Sequence, residues 1–149
     1  MRIGVPKEIK NHEYRVGLTP ASVAELVAAG HEVFVETNAG MGIDFSDKAY
    51  EKVGAKILPT AADVFDTAEM IVKVKEPQPQ EIEMLKPHHL LFTYLHLAAD
   101  KPQTEGLMKS GATCIAYETV TSNSGALPLL MPMAGACQAA RGRTAGSIV

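Results

Sequence analysis

"MIVKVKEPQPQEIEMLKPHHLLFTYLHL" (residues 70–97) reads as strand, helix and strand in succession. "MIVKVK" is apolar with a period of two, so Ile71, Lys73 and Lys75 fall on one face and Met70, Val72 and Val74 on the other. Pro77 ends that run, "PQEIEMLKP" reads as a helix, and "HLLFTYLHL" is a second apolar strand. Two strands joined by a helix of this length pair in parallel through a right-handed crossover.

The same alternation extends outward in both directions. "RIGVP" (2–6), "HEVFVET" (31–37), "AKIL" (55–58) and "TCIAYET" (113–119) read as further strands, giving six in all. Between them, Thr19-Pro20 is an N-cap followed by proline at the first helical position. The helix it opens, "ASVAELVAAG" (21–30), has Val23, Leu26 and Val27 at helical spacing and a stop at Gly30. "DKAYEKVG" (47–54), "TAADVFDT" (60–67) and "KPQTEGLMKSG" (101–111) supply other helices. The expected fold class is therefore α/β: a doubly wound, mostly parallel sheet with helices on both faces. Ligands of such sheets sit beyond the carboxyl ends of the strands, where Lys75, His96 and Glu118 fall.

Composition narrows the function classes. The chain has 149 residues, the length of one domain, with 46% hydrophobic and 21% charged residues, enough for a core. A net charge of −3 argues against a nucleic-acid partner. No apolar run reaches the roughly 18 residues of a membrane span, and "MRIGVPKEIK" has no signal-peptide core. Cys114 and Cys137, without metal-like spacing, suit free thiols in a reducing compartment. A cytoplasmic soluble domain is expected.

Three side chains converge on one rim. Lys75 shares a strand end with Lys73; a solvated ammonium is the common outcome, yet two close ammonium groups favour a nearby anion. His96 closes "FTYLHL" on the face of Phe92 and Tyr94; such histidines are often hydrogen-bonded core residues, but imidazole is also the natural proton carrier near neutral pH. Arg15 lies in "NHEYRVGLTP", the loop leaving the first strand, either as an exposed loop cation or as a forked carboxylate clamp. Elsewhere signals are weak. "NAGMG" (38–42) lacks the third glycine of a dinucleotide fingerprint and reads as a turn. His88-His89 starts a strand without partner ligands, so no metal site is expected. No G-x-G-x-x-G, Walker loop or nucleophile elbow occurs.

"MRIGVPKEIKNHEYRVGLTP", "NAGMGIDFSD", "IVKVKEPQ", "LLFTYLHLAAD", "AYETV" and "LPLLMPM", in that order, resemble the amino-terminal part of the bacterial alanine dehydrogenase family across residues 1–133. The nucleotide-binding subunit of proton-translocating transhydrogenase shares the opening and the first lysine, but does not characteristically carry the second lysine or the histidine. The resemblance implies a Rossmann-like substrate domain of an oxidoreductase that converts L-alanine, NAD and water to pyruvate, ammonium and NADH. It implies that Arg15 and Lys75 hold the substrate carboxylate and carbonyl region, that His96 is the general acid/base, with Lys75 beside it in catalysis, and that Tyr94 and Met133 shape the pocket. It further implies NAD as cofactor, a homo-oligomer (a hexamer in the full-length family), and a catalytic aspartate supplied by a second domain.

After residue 133 the text changes. "AGACQAARGRTAGSIV" (134–149) has no acidic residue and no clear apolar period, and is expected to be a divergent, disordered or irregular tail. The break points to a frameshift or an artificial truncation, with the NAD-binding domain lacking. Two function classes follow: the substrate-binding portion of an alanine dehydrogenase, inactive alone, or a non-catalytic domain that binds carboxylates or self-associates. A transhydrogenase-like domain is the further alternative.

Overall fold

A computed structural model describes residues 1–130. Met133 and the tail at 134–149, including Cys137, lie outside the described residues. Six strands form one all-parallel sheet: β1 (Arg2–Val5), β2 (Glu32–Glu36), β3 (Lys56–Leu58), β4 (Met70–Val72), β5 (Leu90–Thr93) and β6 (Thr113–Ala116). Their order across the sheet is β3-β2-β1-β4-β5-β6. Five helices connect them: α1 (Pro20–Ala28), α2 (Asp47–Lys52), α3 (Ala61–Thr67), α4 (Pro79–Ile82) and α5 (Lys101–Ser110).

The helix starts are written locally. Thr19 accepts a hydrogen bond from the Ser22 amide at 3.3 Å and Pro20 fixes the first turn of α1. Thr60 and Asp100 cap α3 and α5 in the same way, through the amides of Asp63 and Gln103. Gly111, at φ +69°, closes α5 in the left-handed conformation that glycine adopts without strain.

Helices cover both faces of the sheet, as the βαβ pattern requires. On one face Val23 of α1 and Tyr50 of α2 pack on Ile3, Val5, Val33, Val35 and Val72. On the other, Val64 and Phe65 of α3 and Leu107 of α5 pack on Ile71 and Leu91. Ile71 and Val72, adjacent in β4, serve opposite cores, so the period of two holds within the strand. Each fully buried branched or aromatic side chain contributes about 1.5–3 kcal/mol of transfer free energy, so the two cores carry the domain's stability.

Two strands are shorter than their apolar runs. β4 ends at Val72 and β5 at Thr93, although the sequence pattern extends to Lys75 and Leu97. Pairing trails off rather than stopping: the Lys73 amide donates to the Phe92 carbonyl at 3.1 Å and the Tyr94 amide to the Val74 carbonyl at 3.3 Å. Lys73 is therefore buried while Lys75 is half-buried, so the two lysines do not form the shared face that alternation predicts. α4 is likewise a single turn rather than the longer helix of "PQEIEMLKP". The stretch Asn38 to Gly42 turns, as expected, into a short 3-10 helix at Met41–Ile43.

Candidate functional site

β1 and β4 are neighbours from which the chain winds in opposite directions, and the crevice beyond their carboxyl ends is the switch point of the sheet. Residues following β1, β4, β5 and β6 meet along this edge. The loop from β1 to α1 brings Arg15, the end of β4 brings Lys75, the end of β5 brings Tyr94 and His96, and the end of β6 brings Tyr117 and Glu118.

Arg15 is oriented by Glu13. The carboxylate takes Nε at 2.8 Å, Nη2 at 2.6 Å and the Arg15 amide at 2.9 Å. These bonds hold the Glu13 carboxyl down at about 2, with Lys75 adding a smaller pull, and raise the Arg15 guanidinium above its ordinary value. With one edge of the fork taken by Glu13, Nη1 keeps its donors free of Glu13. Arg15 and Tyr94 line one mainly apolar cavity of about 620 Å³, together with Val74, Phe92, Tyr117 and Leu129. Tyr94 stacks edge-on against Tyr117 at 5.0 Å and donates its hydroxyl hydrogen to the Leu129 carbonyl at 2.9 Å. Burial raises the Tyr94 phenol above its ordinary range, so it stays a neutral donor.

His96 does not line that cavity. It borders an adjoining one of about 380 Å³ with Ala116 and Glu118, and its ring stacks on Tyr94 at 6.0 Å. It is exposed rather than a core histidine, and the strand face it shares with Tyr94 is bent by its left-handed backbone at φ 49°, ψ 39°. Glu118 supports this strained conformation: its Oε1 accepts from the amides of His96 at 2.7 Å and Leu95 at 3.0 Å. Glu76 faces the ring, with Oε2 3.6 Å from Nδ1, and also pairs with Lys10.

Lys73 and Lys75 differ entirely in surroundings. Lys73, 1% exposed, reaches Glu8 at 3.1 Å and Glu81 at 2.7 Å. The anion that two adjacent lysines call for is therefore protein, and Lys73 is scaffold. Lys75 remains half-buried on the rim, its carbonyl accepting from the Thr93 hydroxyl at 2.8 Å. It lines neither cavity.

Four carboxylates of this edge, Glu8, Glu13, Glu76 and Glu81, escape a search for cations and proton carriers. Their signal was position: three of them lie within a few residues of a strand's carboxyl end or in the loop bearing Arg15. His88 and His89 sit in the turn before β5. The His89 ring is buried, with Nε2 2.9 Å from the Phe65 carbonyl and Nδ1 accepting from the Lys86 amide at 3.0 Å, and burial lowers its proton affinity. Cys114 is half-buried in β6, where desolvation raises its thiol.

The chain matches the family described as "Alanine dehydrogenase/PNT, N-terminal domain" over residues 4–137. The alanine dehydrogenase of Halomonas elongata is 57% identical over 133 residues, covering 89% of this chain and 36% of the relative. That of Bacillus subtilis is 53% identical over 133 residues, covering 89% and 35%. A solved L-alanine dehydrogenase superposes with a TM-score of 0.86 at 57% identity, over 89% of this chain and 37% of that one. The transhydrogenase from Sinorhizobium meliloti superposes at 0.74 with 31% identity, over 79% and 35%. The chain thus spans about a third of the length of the curated relatives it matches. By fold, by sequence and by the order of its motifs, it belongs to the alanine dehydrogenase/PNT N-terminal domain family.

Proposed function

We propose that this chain is the substrate-binding portion of an alanine dehydrogenase, the enzyme that interconverts L-alanine, NAD and water with pyruvate, ammonium, NADH and a proton. The observation that carries this is Arg15, with Nη1 free of Glu13, on the wall of an apolar cavity at the switch edge that also carries Lys75 and His96. A small carboxylate with a methyl group fits such a cavity: the fork binds the carboxylate and the aromatic walls exclude water from the methyl.

Lys75 then pairs with the oxygen or nitrogen on the substrate's second carbon, polarising it by its positive charge. His96 moves the protons when water adds to the imine carbon and ammonia leaves. Tyr94 and Met133 shape the pocket around the methyl. Fixing the carboxylate and that carbon together supplies the orientation that hydride chemistry demands.

Among the described residues nothing fits NAD. The turn after β1 lacks the glycines of a dinucleotide cradle, and Glu8 places a carboxylate at the switch point where a pyrophosphate would lie. NAD as cofactor of the whole enzyme, a homo-oligomeric assembly, a cytoplasmic location and a boundary near residue 133 are supported by the resemblance to the relatives. No helix among the described residues is long and apolar enough to cross a membrane.

Titration of the ¹⁵N-labelled chain with pyruvate tests the assignment. Shifts are expected at Arg15, Tyr94 and His96, with binding weakened about tenfold or more in Lys75→Ala, the loss of one charge-assisted contact. A titration that leaves His96 and its neighbours unmoved sinks it.

A further inference from the structure

Three buried groups beneath the site carry more charge than pairing requires. Lys73 meets two carboxylates, Glu8 and Glu81, and all three side chains are at most 2% exposed. One ammonium balances one carboxylate, and an excess buried anion is costly. Glu81 has a structural use, since it also accepts the Gln78 amide at 2.8 Å and so starts α4. Lys73 with Glu81 would be a neutral pair without any help from Glu8.

What Glu8 alone does is grip the backbone of the rim lysine. Its Oε1 accepts the Val74 amide at 2.7 Å and lies 3.4 Å from the Lys75 amide, while Oε2 faces Lys73 at 3.1 Å. On the opposite side the Thr93 hydroxyl donates to the Lys75 carbonyl. Beyond Val72 two isolated bonds remain, from the Lys73 amide to the Phe92 carbonyl and from the Tyr94 amide to the Val74 carbonyl, and the Val74 and Lys75 amides find no acceptor in the sheet. A buried charged acceptor on the amides takes over that task.

We propose that Glu8 is a positioning residue for Lys75: its carboxylate, anchored by Lys73, clasps the amides of Val74 and Lys75 and sets where the Lys75 ammonium meets the substrate. The proposal deepens the carboxylate-site assignment and rests on it for the substrate arm of its test. The clasp itself does not depend on any ligand.

Glu8→Gln tests the clasp. A carboxamide has one acceptor oxygen, and its NH2 is repelled by the Lys73 ammonium, so the oxygen turns to Lys73 and the amides lose their partner. The cluster becomes neutral, so E8Q is expected to fold. The variant E81Q removes the other buried carboxylate but keeps Lys73 on Glu8 and Glu8 on the amides, and it controls for a purely structural role. Hydrogen exchange of the Val74 and Lys75 amides should rise about tenfold in E8Q and stay near wild type in E81Q. Pyruvate dissociation constants should follow the same split, about tenfold weaker in E8Q only, whatever each variant does to the melting temperature.

Wild-type exchange rates at both amides in E8Q overturn the proposal, as does a pyruvate affinity that falls in both variants in step with stability. If the wild-type chain takes up no pyruvate, the substrate assignment fails and the exchange result alone decides the clasp. The wild-type Val74 amide also serves if E8Q does not fold: the proton of an amide whose nitrogen lies 2.7 Å from a buried carboxylate oxygen should resonate far downfield. An ordinary amide shift there overturns the proposal without any variant.

Discussion

Glu13 shows how a single carboxylate on this edge couples stability to pH. Its folded carboxyl titrates at about 2 against an ordinary 4.5, because the Arg15 guanidinium stabilises the anion. A lowered carboxyl contributes stability that is present above pH 4.5 and is lost as pH falls from 4.5 toward 2. A drop of that size corresponds to about 3 kcal/mol, which solvent at the 42%-exposed Arg15 side chain cuts to about 1–2 kcal/mol. Glu13→Gln should therefore lower the unfolding free energy at pH 7 by that amount and flatten its decline between pH 4.5 and 2, measured by urea melts across the range. A variant as acid-sensitive as wild type in that window would remove Glu13 from this role. Glu118 acts on backbone instead. Glu118→Ala strands the buried Leu95 amide and frees the left-handed His96, costing about 1–3 kcal/mol. Glu118→Gln keeps an oxygen at the Oε1 position, which takes both amides, so it should recover most of that loss in the same melts. Equal losses in the two variants would mean that charge, not the amide acceptor, is what matters.

At the scale of elements, the loop from β1 to α1 can carry Arg15 to the rim only by lying directly against the end of β4. Gly17 makes the contact: a Cβ there would stand 2.5 Å from the Val72 carbonyl oxygen and 3.2 Å from the Lys73 Cα, both backbone. Gly17→Ala should thus cost about 1–3 kcal/mol, the usual penalty of overpacking, and displace the Arg15 loop. A thermal melt together with amide shifts of residues 13–18 would show both, and a melt within a degree of wild type would disprove the close approach. The order of strands and helices was legible in the sequence because each element carries its own period and caps, as Thr19-Pro20 and Gly111 do. The ends of β4 and β5 were not. Lys73 sits in phase with Ile71, and phase alone cannot show that the chain reaches Glu8, distant by 65 positions, and buries the pair. A similar distance, 67 positions, hid Glu8 from Lys75, whereas Glu118 stood out at a strand's carboxyl end and only its grip on the His96 amide was hidden. Cations advertise a site by type, whereas their acceptors are recognisable only once the strands are aligned. Arg15, Lys75, Tyr94 and His96 were thus found on one edge, but the division into two adjoining cavities depends on the bend at His96, which no alternation predicts.

For the molecule as a whole, the question is whether a substrate edge of this kind can turn over. Hydride transfer needs the nicotinamide against the substrate's second carbon, and the dinucleotide must be anchored by its pyrophosphate. In this sheet the place for that anchor is taken. Glu8 occupies the crevice between β1 and β4, and the N-terminus of α1 is closed by Pro20 and by the Thr19 hydroxyl on the Ser22 amide. A pyrophosphate arriving there would meet a buried carboxylate instead of free amides, and like charges in a buried setting repel strongly. Relatives about two and a half times as long have further chain in which to build a nucleotide site. The purified chain, given L-alanine and NAD, is therefore expected to form no NADH above the rate of a buffer blank, followed by absorbance at 340 nm. It should still take up pyruvate, because the Arg15 fork and the aromatic cavity are built wholly from residues at this edge. Turnover that survives further purification and disappears in Lys75→Ala would mean that the described edge, or the chain after residue 130, does hold the dinucleotide. Contaminating enzyme would persist in that variant unchanged, so the pair of measurements separates the two.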